Sequence, residues 1–284
     1  MANSINTNRG ALIALQNLNA TNRSLEMTQN RVNTGMKVSS AKDNGAIFAI
    51  ATSQRAEMGA QDAVKQSIER GKSIVDVALA AGETVVDALT ELKSLAVAIQ
   101  DSVASSESET KLINDFEAIV KEIHTALAGA TFDGVNAFKT GTQIDVTINT
   151  AATGNKFTIK ASGDAAAADS LAFTGTATSA TGAWVAPAAA GKRAAYEPAD
   201  VGAAINSFTS VLADLGTKSK SLDRQLTFVS KLQDSLETGI GNLVDADLAK
   251  ESARLTALQT KQQLGVQALG IANQASSIVL NLFR

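Results

Sequence analysis

Few residues in this chain could do chemistry. Its 284 residues hold no cysteine and one histidine, which removes disulfides, thiolate metal sites, a cysteine nucleophile and any multi-histidine metal centre. His124 stands in Glu122-Ile123-His124 without the second imidazole that paired zinc-protease spacing requires; it reads as a structural or surface histidine on an amphipathic helix. Gly239 and Gly241 lack the preceding strand of a phosphate-cradling loop and read as a helix kink. Asp245, Asp247 and Glu251 are spaced for helix capping and surface solvation rather than for acid–base work. No catalytic, cofactor-binding or metal-binding residue is assigned. A net charge of -3 without a basic cluster leaves no electrostatic footprint for nucleic acid.

What remains to be explained is a chain built for helices. Average usage would give about 14 prolines; there are 2, Pro187 and Pro198, so two long spans are free to be helical. Alternating steps of three and four from Val64 meet Ile68, Gly71, Val75, Ala78, Gly82, Val85, Leu89, Leu92, Ala96, Ile99 and Val103, the seam of one helix of about 40 residues. A second seam runs Val201, Ile205, Phe208, Leu212, Leu215, Ser219, Leu222, Leu226, Val229, Gln233, Leu236, Ile240 and Leu243, with two polar interruptions. Two seams of matched length suit an antiparallel coiled-coil hairpin, each burying its stripe in the other. Between them fits a shorter helix capped by Ser106 with Glu109 three residues on. The expected fold is mainly α: a long antiparallel helical coiled-coil rod with terminal helices and a small β-containing outer insertion.

That insertion begins where the helical period stops. Asp133-Gly134 marks a turn, and Ile144, Val146 and Ile148 alternate with polar residues, as do Phe157 and Ile159, which predicts a β-hairpin. Beyond it the segment reads either as a weakly structured insertion or as a small folded knob, with Trp184 as its packed anchor. Thr150, Thr153, Ser162, Ser170, Thr174, Thr176, Thr178, Ser179 and Thr181 form a hydroxyl-rich surface, open to plain solvation or to sugar attachment.

The chain ends are unusual. From Gln262 to Phe283 there is no charge, and apolar residues lie on two stripes, one through Val266, Leu269, Leu280 and Phe283, the other through Leu264, Ala268, Ile271, Ile278 and Leu282. Near the N-terminus Leu12, Ile13, Leu15 and Leu18 cluster in another charge-free run. One partner helix covers one stripe, so the second calls for neighbouring chains. The amides Gln262, Gln263, Gln267, Asn273, Gln274 and Asn281 make the C-terminal segment too polar for a membrane span of roughly 20 residues. The N-terminal segment lacks a small-residue cleavage pattern, so no cleaved secretory signal is expected.

The stretches Leu18-Asn19-Ala20-Thr21-Asn22-Arg23-Ser24-Leu25, Arg31-Val32-Asn33-Thr34-Gly35-Met36-Lys37-Val38 and Ser40-Ala41-Lys42-Asp43 resemble the N-terminal signature of bacterial flagellins. Asp247-Leu248-Ala249-Lys250-Glu251-Ser252-Ala253, Leu255-Thr256-Ala257-Leu258-Gln259 and Gln267-Ala268-Leu269-Gly270-Ile271-Ala272-Asn273-Gln274, closing on Leu282-Phe283-Arg284, resemble the C-terminal one. The resemblance covers about residues 1–140 and 198–284. It implies an extracellular filament subunit for swimming motility, exported without a cleaved signal by the flagellar type III apparatus, with an export chaperone, cap and hook-junction proteins as partners and no cofactor. The implied division is 1–40 inner-tube helix, 41–140 rod, 141–197 variable outer segment, 198–244 rod helix and 245–284 inner-tube helix. The implied subunit-interface residues are Leu12, Leu15, Leu18, Leu25, Leu255, Leu258, Leu264, Leu269, Ile271, Leu280 and Phe283. A flagellin-like hook–filament junction protein, present in few copies, shares these ends and is the alternative.

Two departures bear on partners. Thr52-Ser53 stand where the family often has Asn-Arg, in the helix after the bend at Ser40-Ala41-Lys42-Asp43, where Ser40 and Asp43 also fit a helix-start capping pair. Where many flagellins carry a Leu-Gln-Arg-x-x-Glu-Leu stretch read by the vertebrate Toll-like flagellin receptor, this chain has Leu89-Thr90-Glu91-Leu92-Lys93-Ser94-Leu95. An acid at Glu91 in place of arginine, with Thr90 and Ser94 beside it, implies weak or absent receptor activation.

Overall fold

Helix dominates the computed structural model, which describes residues 8–139, 143–150, 156–160, 171, 173, 176–177, 184–187 and 192–282. The order is α1 (Arg9–Thr34), α2 (Gly45–Asp101), α3 (Glu107–Gly129), β1 (Thr131–Phe132), β2 (Val135–Asn136), β3 (Gln143–Thr147), β4 (Lys156–Lys160), β5 (Thr176–Ala177), β6 (Trp184–Val185), α4 (Lys192–Ala195), α5 (Pro198–Val244) and α6 (Leu248–Leu282). The strands form three antiparallel pairs, β1 with β2, β3 with β4 and β5 with β6. The fold is mainly α. Residue contacts define two compact units, Met1–Met58 with Asp234–Arg284, and Gly59–Gln233. Both divisions fall inside helices, α2 and α5, whereas 40/41 and 244/245 lie in the links between helices.

In the unit Gly59–Gln233 the seam expected of α2 is the buried line: Val64, Ile68, Val75, Ala78, Val85, Leu89, Leu92, Ala96 and Ile99 are all at most 3% exposed. Its last expected member, Val103, lies past the helix end and is 78% exposed. The helix is also longer than expected, 57 residues. Its N-terminal extension was invisible as a seam because, before Val64, only Ala51 and Gln61 are buried.

The glycines in the seam mark close approaches. A Cβ on Gly71 would lie 2.3 Å from Val146 Cγ2, and one on Gly82 would lie 2.2 Å from Leu212 Cδ2. Val146 is itself buried, and its β-branched side chain has little rotamer freedom to move away, so Gly71 is where β3 sits down on α2.

The two polar interruptions in the α5 seam pair with α2. Ser219 Oγ donates to Asp76 Oδ1 at 3.2 Å, and Gln233 Nε2 donates to Asp62 Oδ1 at 2.6 Å. The Lys72–Asp223 ion pair lies between them in the same antiparallel register. The buried line of α5 differs from the expected one near its start: Ala204 and Val211 are buried, while Ile205 and Leu212 are only partly so. A helix packed on more than one neighbour buries a stripe wider than a two-helix seam.

α3 starts at the expected cap, Ser106 Oγ accepting from the Glu109 amide at 3.0 Å. The Glu109 carboxylate does not close the box onto the cap residue; it accepts from the Ser105 amide and pairs with Arg193 at 3.3 Å. Asp133-Gly134 forms the expected turn, with φ of 51° and 73°, the positive pair that a type I′ hairpin turn requires. The predicted hairpin is also present, Ile144 facing Ile159 and Val146 facing Phe157, although Ile148 lies just past the strand.

The described residues of the middle segment join the main core instead of forming one of their own. Leu171, Phe173 and Trp184 are buried in the same cluster as α2, α3 and α5. His124 is a buried structural histidine whose Nε2 lies 3.3 Å from the Leu171 carbonyl oxygen. The segment returns to the helices through a polar clasp. Arg193 donates to the Ser102 carbonyl at 2.8 Å and to that of Gln100, near the end of α2, while Lys192 pairs with Glu117 at 2.6 Å. Tyr196, stacked on Phe116 at 4.3 Å, donates to Glu117 at 3.1 Å. Burial, then the Glu117 charge, push the Tyr196 phenol above its ordinary range.

Candidate self-assembly surface

The unit holding both chain ends is organised around α1 and α6. α1 begins where Asn8 Oδ1 accepts from the Ala11 amide at 3.0 Å, and it ends at Gly35 in the left-handed conformation, φ 69°. The chain leaving α1 is tied to the end of α5. Lys37 and Val38 donate to the Val244 carbonyl, and the Ala246 amide donates to that of Gly35 at 2.9 Å. Ala51, Ile240 and Val244 form a small separate core there.

Two capping expectations change. Asn44, not Ser40, caps α2: its side-chain oxygen accepts from the Ala46 and Ile47 amides, each at 3.1 Å. Asp43 instead gathers the amides and hydroxyls of Ser39 and Ser40, closing the turn before the helix. Those bonds, the Ser40 amide foremost, hold its carboxyl below the usual range. Asp247 does cap α6, accepting from the Lys250 amide at 3.1 Å. Glu251 is not a solvated surface acid; it is buried and paired with Arg31 at 3.2 Å. Gly239 and Gly241 lie within the continuous helix α5.

α1 and α6 run antiparallel, as their cross-links require: Asn8 with Ala272, Asn22 with Gln262, and Arg31 with Glu251. The shared seam follows steps of three and four. On α1 it takes Ala14, Leu18, Thr21, Leu25, Thr28 and Val32; on α6 it takes Glu251, Leu255, Leu258, Gln262, Gly265, Leu269 and Ala272. This intrachain pairing accounts for buried Leu25 and half-buried Leu18, Leu255, Leu258 and Leu269.

A second set of apolar side chains is left outside. On α1 Leu12 is 62% exposed, and Ile13, Leu15 and Met27 accompany it; on α6 Leu264 is 59% and Ile271 69% exposed on one face, while Val266, also exposed, lies on the other side, next to the seam. Ile13 and Met27 were not among the residues the resemblance implied; their spacing off the α1 seam is the signal that leaves them exposed. Leu280 lies in α6, its side chain outside the described residues, as is all of Phe283.

The other singled-out positions lie elsewhere. Leu89 is buried in the α2 core, Leu95 is half-buried, and Thr90, Glu91 and Ser94 are exposed. Of the hydroxyl set, Thr150 is exposed and Thr176 lies in β5; Thr153, Ser162, Ser170, Thr174, Thr178, Ser179 and Thr181 lie outside the described residues. An open cleft of about 610 Å³ is lined by Asp234, Glu237, Asp245 and Asp247 among others. Among the described residues no three potential ligands converge to hold a metal ion, and no helix is long and apolar enough to cross a membrane.

Residues 5–144 match the bacterial flagellin N-terminal helical region, and residues 199–283 match the bacterial flagellin C-terminal helical region. The chain is 49% identical over 282 residues to flagellin FljM of Caulobacter vibrioides, spanning 99% of both. It is 39% identical over 289 residues to a flagellin of Brucella melitensis, again across 99% of both. These alignments run through the middle segment, where no resemblance was expected. Matched at both ends and along its whole length, the chain belongs to the bacterial flagellin family.

Proposed function

We propose that copies of this chain stack through the exposed α1 and α6 stripe. The chain is a structural subunit of the flagellar filament and not an enzyme. The observation that carries the stacking is the pair of exposed apolar side chains Leu264 and Ile271, on one face of α6, that the paired helix α1 leaves uncovered. A patch that joins a different patch on the next copy, without closing on itself, propagates an open helical polymer. In this reading 1–40 and 245–284 are the inner-tube helices, 41–140 and 198–244 the rod, and 141–197 the outer face. Export precedes assembly without a cleaved signal, with a chaperone, cap and hook-junction proteins as partners, and the outer hydroxyls are open to sugar attachment.

Electron microscopy of the purified protein tests this. The intact chain is expected to form long filaments, and a chain lacking residues 262–284 to remain soluble. Oligomers from the intact chain that stop at a few copies would instead support the junction protein.

The receptor stretch gives a separate expectation. Leu89 is occupied in the core, and Glu91 presents an exposed acid where the family motif has arginine. Reversal of charge at a contact creates repulsion or an unpaired group. In a reporter-cell assay for the Toll-like flagellin receptor, the chain should be at least tenfold less potent than a flagellin with the intact motif; equal potency refutes the reading.

A further inference from the structure

We infer that the polar cross-links between α1 and α6, above all the part-buried Arg31–Glu251 pair, are register pins that fix which residues of α6 lie against which residues of α1 inside the chain. On the stacking reading above, they thereby fix where along α1 the uncovered α6 side chains stand for the next copy.

The apolar pattern alone decides neither face nor register. α6 has Leu255, Leu258 and Leu269 on one stripe and Leu264, Ala268 and Ile271 on another, so a rotated helix would present a comparable set. Sliding by one heptad also preserves an apolar seam, since coiled-coil positions repeat every seven residues. The polar positions are not interchangeable in this way. Arg31 Nη1 donates to Glu251 Oε1 at 3.2 Å, Gln262 Nε2 to Asn22 Oδ1 at 2.9 Å, and Asn8 Nδ2 to the Ala272 carbonyl at 2.7 Å. All three belong to one antiparallel register. Gly265 fits that register too, because a Cβ there would come within 3.2 Å of Leu18 Cδ1.

A purely stabilising role does not account for the ion pair. The Glu251 side chain is 10% exposed, and Glu251 Oε2 and Arg31 Nε are buried with no hydrogen-bond partner among the described residues. A desolvated, half-satisfied pair contributes little net stability, whereas stranding one member is costly. A one-heptad slip would set Leu258 in the place of Glu251 and Leu269 in that of Gln262, leaving Arg31 and Asn22 without their partners. The cross-links therefore act chiefly by penalising wrong pairings, as polar residues in coiled-coil seams do.

The absence of native cysteine allows a direct test in the full chain. Leu18→Cys with Gly265→Cys reports the native register, and Leu18→Cys with Ala272→Cys reports the slipped one, each read as intrachain disulfide yield under mild oxidation. With Arg31 and Glu251 present, the native cross-link should exceed the slipped one at least tenfold. Arg31→Met/Glu251→Leu should lower that ratio at least fivefold while the melting temperature holds or rises. An unchanged ratio, or a lower melting temperature with an unchanged ratio, overturns the inference. If that variant yields neither cross-link, Arg31→Glu/Glu251→Arg decides: recovery of the native cross-link upholds the pin, and continued loss overturns it. Pelleting of the same samples keeps the readings apart, since a parent chain that never pellets refutes stacking while the cross-link ratio still judges the pin.

Discussion

Placing lysine at both Leu264 and Ile271 should leave the chain folded and raise the concentration needed for filament growth by about a thousandfold. Both side chains are more than half exposed in the single chain, 59% and 69%, so their loss removes little intrachain packing. Covering a leucine or isoleucine contributes about 1.5–3 kcal/mol, and burying an unpaired lysine charge costs more. Two sites together supply about 4 kcal/mol or more, and about 1.4 kcal/mol corresponds to a factor of ten in affinity. Sedimentation against protein concentration measures the shift, with far-ultraviolet circular dichroism as the check that helix content is kept. Filament growth at the parental concentration would falsify the assignment of this stripe to the subunit contact. Lysine at Thr90, exposed on α2, serves as a charge control.

The second large effect is on folding rather than assembly. Phe116→Ala should destabilise the unit Gly59–Gln233 by about 3–5 kcal/mol, the range for emptying a buried aromatic site. Phe116 is fully buried, stacked on Tyr196 at 4.3 Å and met edge-on by Phe173 at 5.6 Å. It thus joins α3 both to the middle segment and to the residue that follows α4. At about 2–4 °C per kcal/mol for a domain of this size, calorimetry should show that unit melting roughly 10 °C lower. Phe116→Leu, which keeps most of the volume, should lose about half as much or less. Equal losses from the two substitutions would show that the stacked geometry, not the filled space, carries the effect.

Much of the α2 core was legible in advance because it depends on one helix at a time. Steps of three and four place Ile68, Val75, Leu89 and Leu92 on one face whatever the partner is. Caps and turns with a single local solution were legible too, Ser106 before α3 and Asp133-Gly134 between β1 and β2 among them. Ser40 and Asp43 show the limit of that logic. Ser-x-x-Asp spacing serves a helix cap or a preceding turn equally, and the next residue, Asn44, offers a side-chain oxygen directly ahead of Gly45. Glu251 shows a different limit: an acid in the first turn of a helix reads as solvated until its partner, Arg31, arrives from 220 residues away.

By itself, then, the amino-acid order determined a mainly helical chain, the face that α2 hides, and an excess of apolar surface at both ends. Only the tertiary structure decided that Leu25, Leu258 and Leu269 serve the intrachain seam, that Leu12, Leu264 and Ile271 stay outside it, and that Leu171, Phe173 and Trp184 enter the main core. The physical reason is that periodicity belongs to a single backbone, repeating wherever the helix goes. The choice between two comparable stripes is made by a few contacts between residues hundreds of positions apart, and no local spacing records those.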